Sequence, residues 1–418
     1  MPKSLDANAA LIGIIKGVMS SDRFSFLEFG DEDAAPAKEA APFGGSEPAQ
    51  REIGAELLPD GTTLAQVKMP DPRGFQKYLD EDDGTLTLSS LAGQGMQVPN
   101  RLRVVEVLGE RGTNVNQFQY PTGLAVDPDG VLFVADSYSH CLKRITPDGG
   151  VSVIGSRGSG RAQFLSPQGV ATDGDGAFYV VEQGNCRVQK FTREGILTLV
   201  FGRPGRENGE FLGPTAIAVA PGSGDIYVAD TGGSRVQRFS PDGRFFNSLG
   251  APAQSGRQGN GPGLSSPQAL AAAPGGALYV AETFAQRLVR FDPLGRLDQQ
   301  IGGAKTRRSP APSITLNQPR ALAIDPAGLL YIADAGEADL LTGETRGRLQ
   351  CVSLMDDLPV IATIEKIGRS LGSLLRPGGL ALGPPSERPV PGRAIWSDIY
   401  IADTLNHRIL RFAWSGAA

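Results

Sequence analysis

One pattern recurs six times along this chain and leaves few folds open to it. An apolar residue stands three positions before a proline. Two residues later a short apolar run begins, then a turn, an aromatic-apolar run that ends in an acid, and a third short apolar run. The prolines are Pro121, Pro167, Pro214, Pro267, Pro319 and Pro377, spaced 46, 47, 53, 52 and 58 residues apart. The acids are Asp136, Glu182, Asp230, Glu282, Asp334 and Asp403. Self-similarity at a period of this length signals a repeat architecture in which each unit is one supersecondary element.

The runs are four to six residues long, rich in Val, Ile, Phe and Tyr, and bounded by turn residues, which predicts strands. The first unit reads Gly123–Val126, the turn Asp127-Pro128-Asp129-Gly130, then Leu132–Ala135. Pro presets one turn dihedral and Gly supplies the positive φ. Third strands include Val188–Phe191, Val236–Phe239, Leu288–Phe291 and Ile409–Phe412, and fourth strands include Leu197–Phe201. The chain holds 55 Gly and 31 Pro in 418 residues, a punctuation density that excludes long helices. Apolar residues occupy both faces of the second and third strands, as in sheets sandwiched between neighbours. Six four-stranded units buried on both faces predict an all-β fold, a six-bladed β-propeller.

The last unit stops at Phe412-Ala413-Trp414, without a fourth strand, whereas Arg103–Gly109 ahead of the first proline has the fourth-strand pattern. The N-terminal strand is therefore expected to complete the last blade and remove an open edge.

The repeated residues, P-x-G-[LI]-A-[VI]-D followed by [YF]-V-[AV]-[DE]-x-x-x-x-R-[VI]-x-[KR]-F, resemble NHL repeats over roughly residues 104–412. The first copy carries Cys141 where Arg187, Arg235, Arg287 and Arg408 stand elsewhere, and the fifth has an insertion, about Gly336–Gly347, before Arg348. The resemblance implies a propeller that serves as an interaction platform. Two enzyme groups of similar architecture carry other signatures: calcium hydrolases with acids and Asn lining the channel, and lyases with His-rich metal sites. Here the row after the prolines is Thr122, Gln168, Thr215, Gln268, Arg320 and Gly378, without an acid, and the chain has two histidines, His140 and His407.

No nucleophile elbow, phosphate loop or HExxH is present, so no catalytic residue, cofactor or metal ligand is assigned. The acid and the Arg five residues on are expected to be structural: the acid caps a turn or pairs with an Arg between blades. The Asp127-Pro-Asp-Gly and Asp173-Gly-Asp-Gly turns lack the spacing of a calcium loop.

Residues 1–100 carry 16 acidic and 8 basic side chains, and the remainder 29 and 32. The chain therefore divides into an acidic, mostly irregular arm (1–100) and a propeller (101–418). Within the arm, Ile14, Ile15, Phe24, Phe26 and Phe29 are candidate docking residues beside an Ala/Pro/Gly-rich linker. Topology puts the connectors between blades on one face, and these are rich in Arg: Arg157, Arg161, Arg203, Arg206, Arg257, Arg307 and Arg308. That face is the candidate binding surface. The expected role is a non-enzymatic scaffold or assembly subunit that binds a protein partner. The alternatives are a metal-dependent hydrolase or lyase using the channel, and RNA binding through the basic face. Three widely spaced cysteines and no membrane-spanning segment predict a cytoplasmic protein.

Overall fold

Proline has no N–H to give to a ladder, so within a sheet it is suited to the first position of a strand. All six anchoring prolines stand there, opening the first strands Pro121–Val126, Pro167–Thr172, Pro214–Val219, Pro267–Ala272, Pro319–Ile324 and Pro377–Pro385. In this computed structural model the described residues are 54–57, 63–67, 86–87, 101–250, 263–303, 314–326, 328–336, 347–354, 360–365, 374–385 and 397–415. The docking residues Ile14, Ile15, Phe24, Phe26 and Phe29 lie outside them, as do Arg257, Arg307 and Arg308.

Each unit is an antiparallel sheet whose strands follow one another outward, giving six blades. The first strands adjoin one another in a closed ring, that of blade six returning to that of blade one. They approach closely enough that a side chain on Gly123 would stand 2.6 Å from the Gln168 carbonyl of the next blade, which is why Gly or Ala recurs two residues after each proline. The core lies between blades. The second strands are buried along their length in Leu132–Asp136, Phe178–Glu182, Ile226–Asp230, Leu278–Glu282 and Leu329–Asp334. Phe133, Phe178 and Phe191 stack across the first seam, with centroids 4.6 and 4.9 Å apart.

Ring closure follows the sequence expectation. Arg101–Leu108 pairs antiparallel with Arg408–Ser415, with Ile409 opposite Leu108 and Phe412 opposite Val104. Arg411 then binds Glu106 of the closing strand at 2.7 Å and Asp398 at 2.9 Å. Upstream, the backbone of Thr63–Val67 pairs with the outer strand of blade one, and Leu86–Thr87 pairs with the closing strand.

The turns behave as their residues predict. Asp127 Oδ1 accepts from the Asp129 and Val131 amides, and Asp173 Oδ1 from those of Asp175 and Ala177. One oxygen of each carboxylate thus closes its hairpin, and Asp173 Oδ2 also accepts from the Tyr179 hydroxyl at 3.1 Å. Connectors between the first blades are plugged by Phe118, Phe164 and Phe211, all buried. Each phenyl lies on a glycine nine residues earlier, Gly109, Gly155 or Gly202, whose positive φ and missing side chain admit the ring.

Candidate functional site

The six acids are fully buried where the second strands end, and a buried carboxylate needs donors on every side. Amides of the blade's own incoming connector supply some: Gln119 N to Asp136 at 2.7 Å, Leu165 N to Glu182 at 3.0 Å, Leu212 N to Asp230 at 2.7 Å, Ser265 N to Glu282 at 2.6 Å, Gln318 N to Asp334 at 2.6 Å and Leu375 N to Asp403 at 2.6 Å. A cation on the adjacent third strand supplies the rest. Arg187 Nε binds Glu182 at 2.6 Å, Arg235 Nε binds Asp230 at 2.9 Å, Arg348 Nη2 binds Asp334 at 2.8 Å and Arg408 Nε binds Asp403 at 2.8 Å. Arg287 pairs with Glu282 in the same way.

These ion pairs lie within one blade. The expectation of acid–Arg pairs between blades is corrected here, and the reason is register: Glu182 faces Arg187, and Asp230 faces Arg235, as direct cross-strand partners. The far end of each guanidinium reaches the connector instead. Arg187 donates to the Ser159, Gly160 and Gln163 carbonyls at 2.7 to 2.8 Å, and Arg235 to those of Glu207 and Glu210 at 3.0 and 2.8 Å.

Blade one, with Cys141 in the Arg position, solves the same problem two residues later. Lys143 is buried, its Nζ lies 3.3 Å from Asp136, and it donates to the Asn114 carbonyl at 3.0 Å and to that of Gln117. It occupies the position of Gln189 in blade two, so the cation has moved along the strand. Burial holds the Asp136, Asp230 and Asp403 carboxyls above the usual carboxylate range, with the paired cation acting against it. Burial also pushes the Cys141 thiol up to about 12.

What crosses the seams is the residue after the acid. Ser137 Oγ donates to the Pro167 carbonyl at 2.6 Å, Thr231 to Pro267 at 2.6 Å, Thr283 to Pro319 at 2.7 Å and Thr404 to Pro121 at 2.8 Å. His140 and His407 work beside them. Each takes a left-handed backbone conformation, φ 51° and 54°. Each accepts at Nδ1 an amide hydrogen of the next blade, from Ser166 and Tyr120 respectively, both at 3.0 Å. Burial, then Arg157 for His140 and Arg111 for His407, lowers both imidazole pKa values, as acceptance at Nδ1 requires. Among the described residues no group of three or more His, Cys, Asp or Glu side chains is placed to hold a metal ion.

The channel row is polar. Thr122 is buried against Ser137 Oγ at 2.7 Å, Thr215 meets Thr231 Oγ1 at 2.6 Å, and Arg320 donates to Gln268 Oε1 at 2.9 Å. On the connector face Arg157, Arg161 and Arg206 are exposed. Arg203 is exposed too, but it pairs with Glu210 of its own connector at 2.8 Å. The repeated acids are expected to offset part of the basic charge on this face, and the pairing of Arg203 with Glu210 adds to that offset. Three exposed side chains, not singled out from the sequence, stand at one loop position, two residues past the acid: Tyr138, Phe284 and Leu405, exposed by 61%, 70% and 38%. The position was legible in the repeat, since its other occupants, Gly184, Gly232 and Gly336, are glycines.

The NHL repeat signature matches residues 118–145, 164–191 and 211–239. No curated protein sequence matches the chain. Among solved structures, it is similar to a gluconolactonase from Xanthomonas campestris at 14% identity and a TM-score of 0.54, covering 83% of this chain and 99% of that one. Virginiamycin B lyase from Staphylococcus aureus aligns at 15% identity and 0.48, covering 75% of this chain and 99% of that one. Hydrazine synthase from Kuenenia stuttgartiensis aligns at 13% and 0.46, covering 70% and 76%. At these identities the likeness concerns the fold alone.

Proposed function

We propose that this chain, which carries three NHL repeat matches and folds as a six-bladed propeller, is a non-enzymatic interaction protein that docks a protein partner on its connector face. The observation that carries this reading is the placement of Tyr138, Phe284 and Leu405 in water at equivalent loop positions of three blades. Exposed aromatic side chains on a rigid scaffold are the usual anchors of protein interfaces. Arg157, Arg161 and Arg206 add positive charge on the same face, which favours a partner with acidic rim residues.

The repeated acids support the reading from the other side. Each is engaged by a connector amide and by a cation of its own blade, so architecture accounts for its presence in the repeat. A reducing compartment suits the three free cysteines, and among the described residues no helix is long and apolar enough to cross a membrane.

The test is affinity capture on the full chain against two variants. One carries Tyr138→Ser and Phe284→Ser, and the other lacks residues 1–97. A partner lost with the first and kept with the second places docking on the connector face. A partner lost only with the truncation assigns docking to the arm and sinks the face proposal. RNA retained in a salt-sensitive way by the chain, and released by Arg203→Glu with Arg206→Glu, would replace protein docking by nucleic-acid binding.

A further inference from the structure

Among the described residues, two guanidiniums of the innermost ring, Arg320 and Arg376, have no ion-pair partner. Arg320 follows the anchoring proline of blade five, the only charged side chain in the channel row. It is half-buried, and its hydrogen bonds go to neutral groups: Nη1 to Gln268 Oε1 at 2.9 Å and Nη2 to Gln318 Oε1 at 3.3 Å. Its Nε is buried without a partner. Arg376, the residue before the proline of blade six, is the nearby cation that, after burial itself, most lowers the Arg320 pKa, which comes down to about 10. Among the described residues neither guanidinium has a carboxylate at ion-pair distance. Asp334 is felt by Arg320, but it is already taken by Arg348 and by the amides of Asn317, Gln318 and Gly336. Two half-buried like charges with no anion between them among the described residues carry a desolvation cost.

The neighbouring surface is aromatic. The Arg376 guanidinium lies 5.9 Å from the ring centroid of Tyr120, and Tyr120 stacks on Tyr138 with centroids 4.7 Å apart and planes 10° apart. Tyr120 and Arg376 both stand immediately before an anchoring proline with left-handed φ of 65° and 55°. Three other blades place Ser166, Gly213 and Ser266 at that position with positive φ, so the conformation belongs to the repeat, and the large side chains of Tyr120 and Arg376 are what set these two positions apart. Blades five, six and one thus contribute, in order, a guanidinium, a second guanidinium and a stacked tyrosine pair.

We infer that this arc of the channel mouth, Arg320, Arg376, Tyr120 and Tyr138, is a binding site for a carboxylate borne on a flat or apolar body. The carboxylate sits between the two guanidiniums, whose planar forks match its two oxygens. The flat body extends over the exposed Tyr138 ring. The site shares Tyr138 with the docking reading but rests on the two guanidiniums, which that reading does not use: a free aromatic acid and an acidic peptide residue beside a phenyl group satisfy it equally in chemistry.

The experiment is isothermal titration of the full chain at low salt with four probes: benzoate, benzamide, acetyl-Phe-Glu-amide and acetyl-Phe-Gln-amide. At least one carboxylate probe is expected to bind at least tenfold more tightly than its amide counterpart. Raising the salt should weaken it. Benzoate alone identifies a small-molecule acid, and the Glu peptide alone identifies a peptide. Arg376→Gln should weaken the carboxylate probe at least tenfold, and Tyr138→Ala severalfold. Tyr138 is surface-exposed, so its variant tests the site even if the Arg376 variant folds poorly, and far-ultraviolet circular dichroism monitors both. Equal binding of the acid and amide probes overturns the assignment. So does no binding at millimolar concentration, or binding unchanged in both variants. A uridine decanucleotide that binds where the carboxylates do not, and is lost with Arg376→Gln, also overturns it, in favour of a phosphate site. Partner capture that needs the connector face while these probes fail would leave the docking reading standing alone.

Discussion

Replacing Lys143 with Met removes the only cation that blade one offers to the buried Asp136. The side chain is close in length and apolar, so the packing against Phe118 is largely kept, while the 3.3 Å ion pair and the donations to the Asn114 and Gln117 carbonyls are lost. Breaking a buried pair from one side typically costs about 3–5 kcal/mol. An upper limit on the charge part follows from proton linkage. Asp136 can escape by binding a proton, and from an unfolded pKa of about 3.9 this costs about 1.4 kcal/mol per pH unit, about 4 kcal/mol at pH 7 and about 1.5 kcal/mol at pH 5. The sign is set by a folded pKa raised above the unfolded one. The stabilising protonation is fully present below the unfolded value and fades as pH rises through the folded value. The deficit of Lys143→Met relative to the parent should therefore shrink on acidification. Urea unfolding followed by circular dichroism at pH 7 and pH 5 measures it. A second variant, Cys141→Arg with Lys143→Gln, writes into blade one the Arg187/Gln189 arrangement of blade two, whose connector has the same length, and should recover most of the loss. A deficit below about 0.5 kcal/mol at pH 7, or one that grows on acidification, would refute the reasoning.

Gly202→Ala places a methyl group 2.4 Å from the edge of the Phe211 ring at a φ of 89°, so the thermal midpoint should fall by several degrees, corresponding to about 2 kcal/mol or more. Thr404→Val removes the hydroxyl that joins blade six to the Pro121 carbonyl. It should cost about 1 kcal/mol and speed amide exchange at that seam, whereas exchange at the seam of blades three and four stays as it was. His140 and His407 have lowered folded pKa values, so their contribution is present above the unfolded value of about 6.5 and is lost as pH falls through the folded values. That contribution should decline between about pH 7 and pH 5, opposite in sign to that of the raised carboxyls, and the double variant His140→Asn, His407→Asn should remove it from the pH slope of the parent, because Asn accepts the left-handed conformation without titrating. A slope unchanged in the variant would assign the acid sensitivity to other groups.

The architecture was legible because the residues that bound each strand are of types with narrow roles. Proline marks the first position, an acid closes the second strand, and Gly-containing turns separate the rest, so even the strand supplied by Arg103–Gly109 could be assigned to the last blade. The wiring was less legible. That Arg187 turns back to its own connector depends on cross-strand register, which local pattern does not display. Lys143 escaped notice because it stands at a position filled by Gln189 and Gln237 in the next two blades, and only burial makes it the substitute for an arginine. The mouth cluster was half-visible: Arg320 stood out in the channel row, but Tyr120 and Arg376 enter through a backbone conformation that no residue-type rule predicts for Tyr or Arg. The face charge was legible only in part, because Arg203 reads as a free cation until Glu210, seven residues on in the same loop, is seen to pair with it.

Closure by Arg101–Leu108 also sets the order in which this molecule can become whole during synthesis. The strand is made before any blade, yet its partner, Arg408–Ser415, is made after all of them. Through the intervening 299 residues the earliest edge stays unsatisfied, and loss of the final strand by premature termination would leave an open arc with two sticky ends. Circular permutants that join the two strands by a short turn should therefore fold with fewer aggregated by-products than the native order, although every contact in the finished ring is the same.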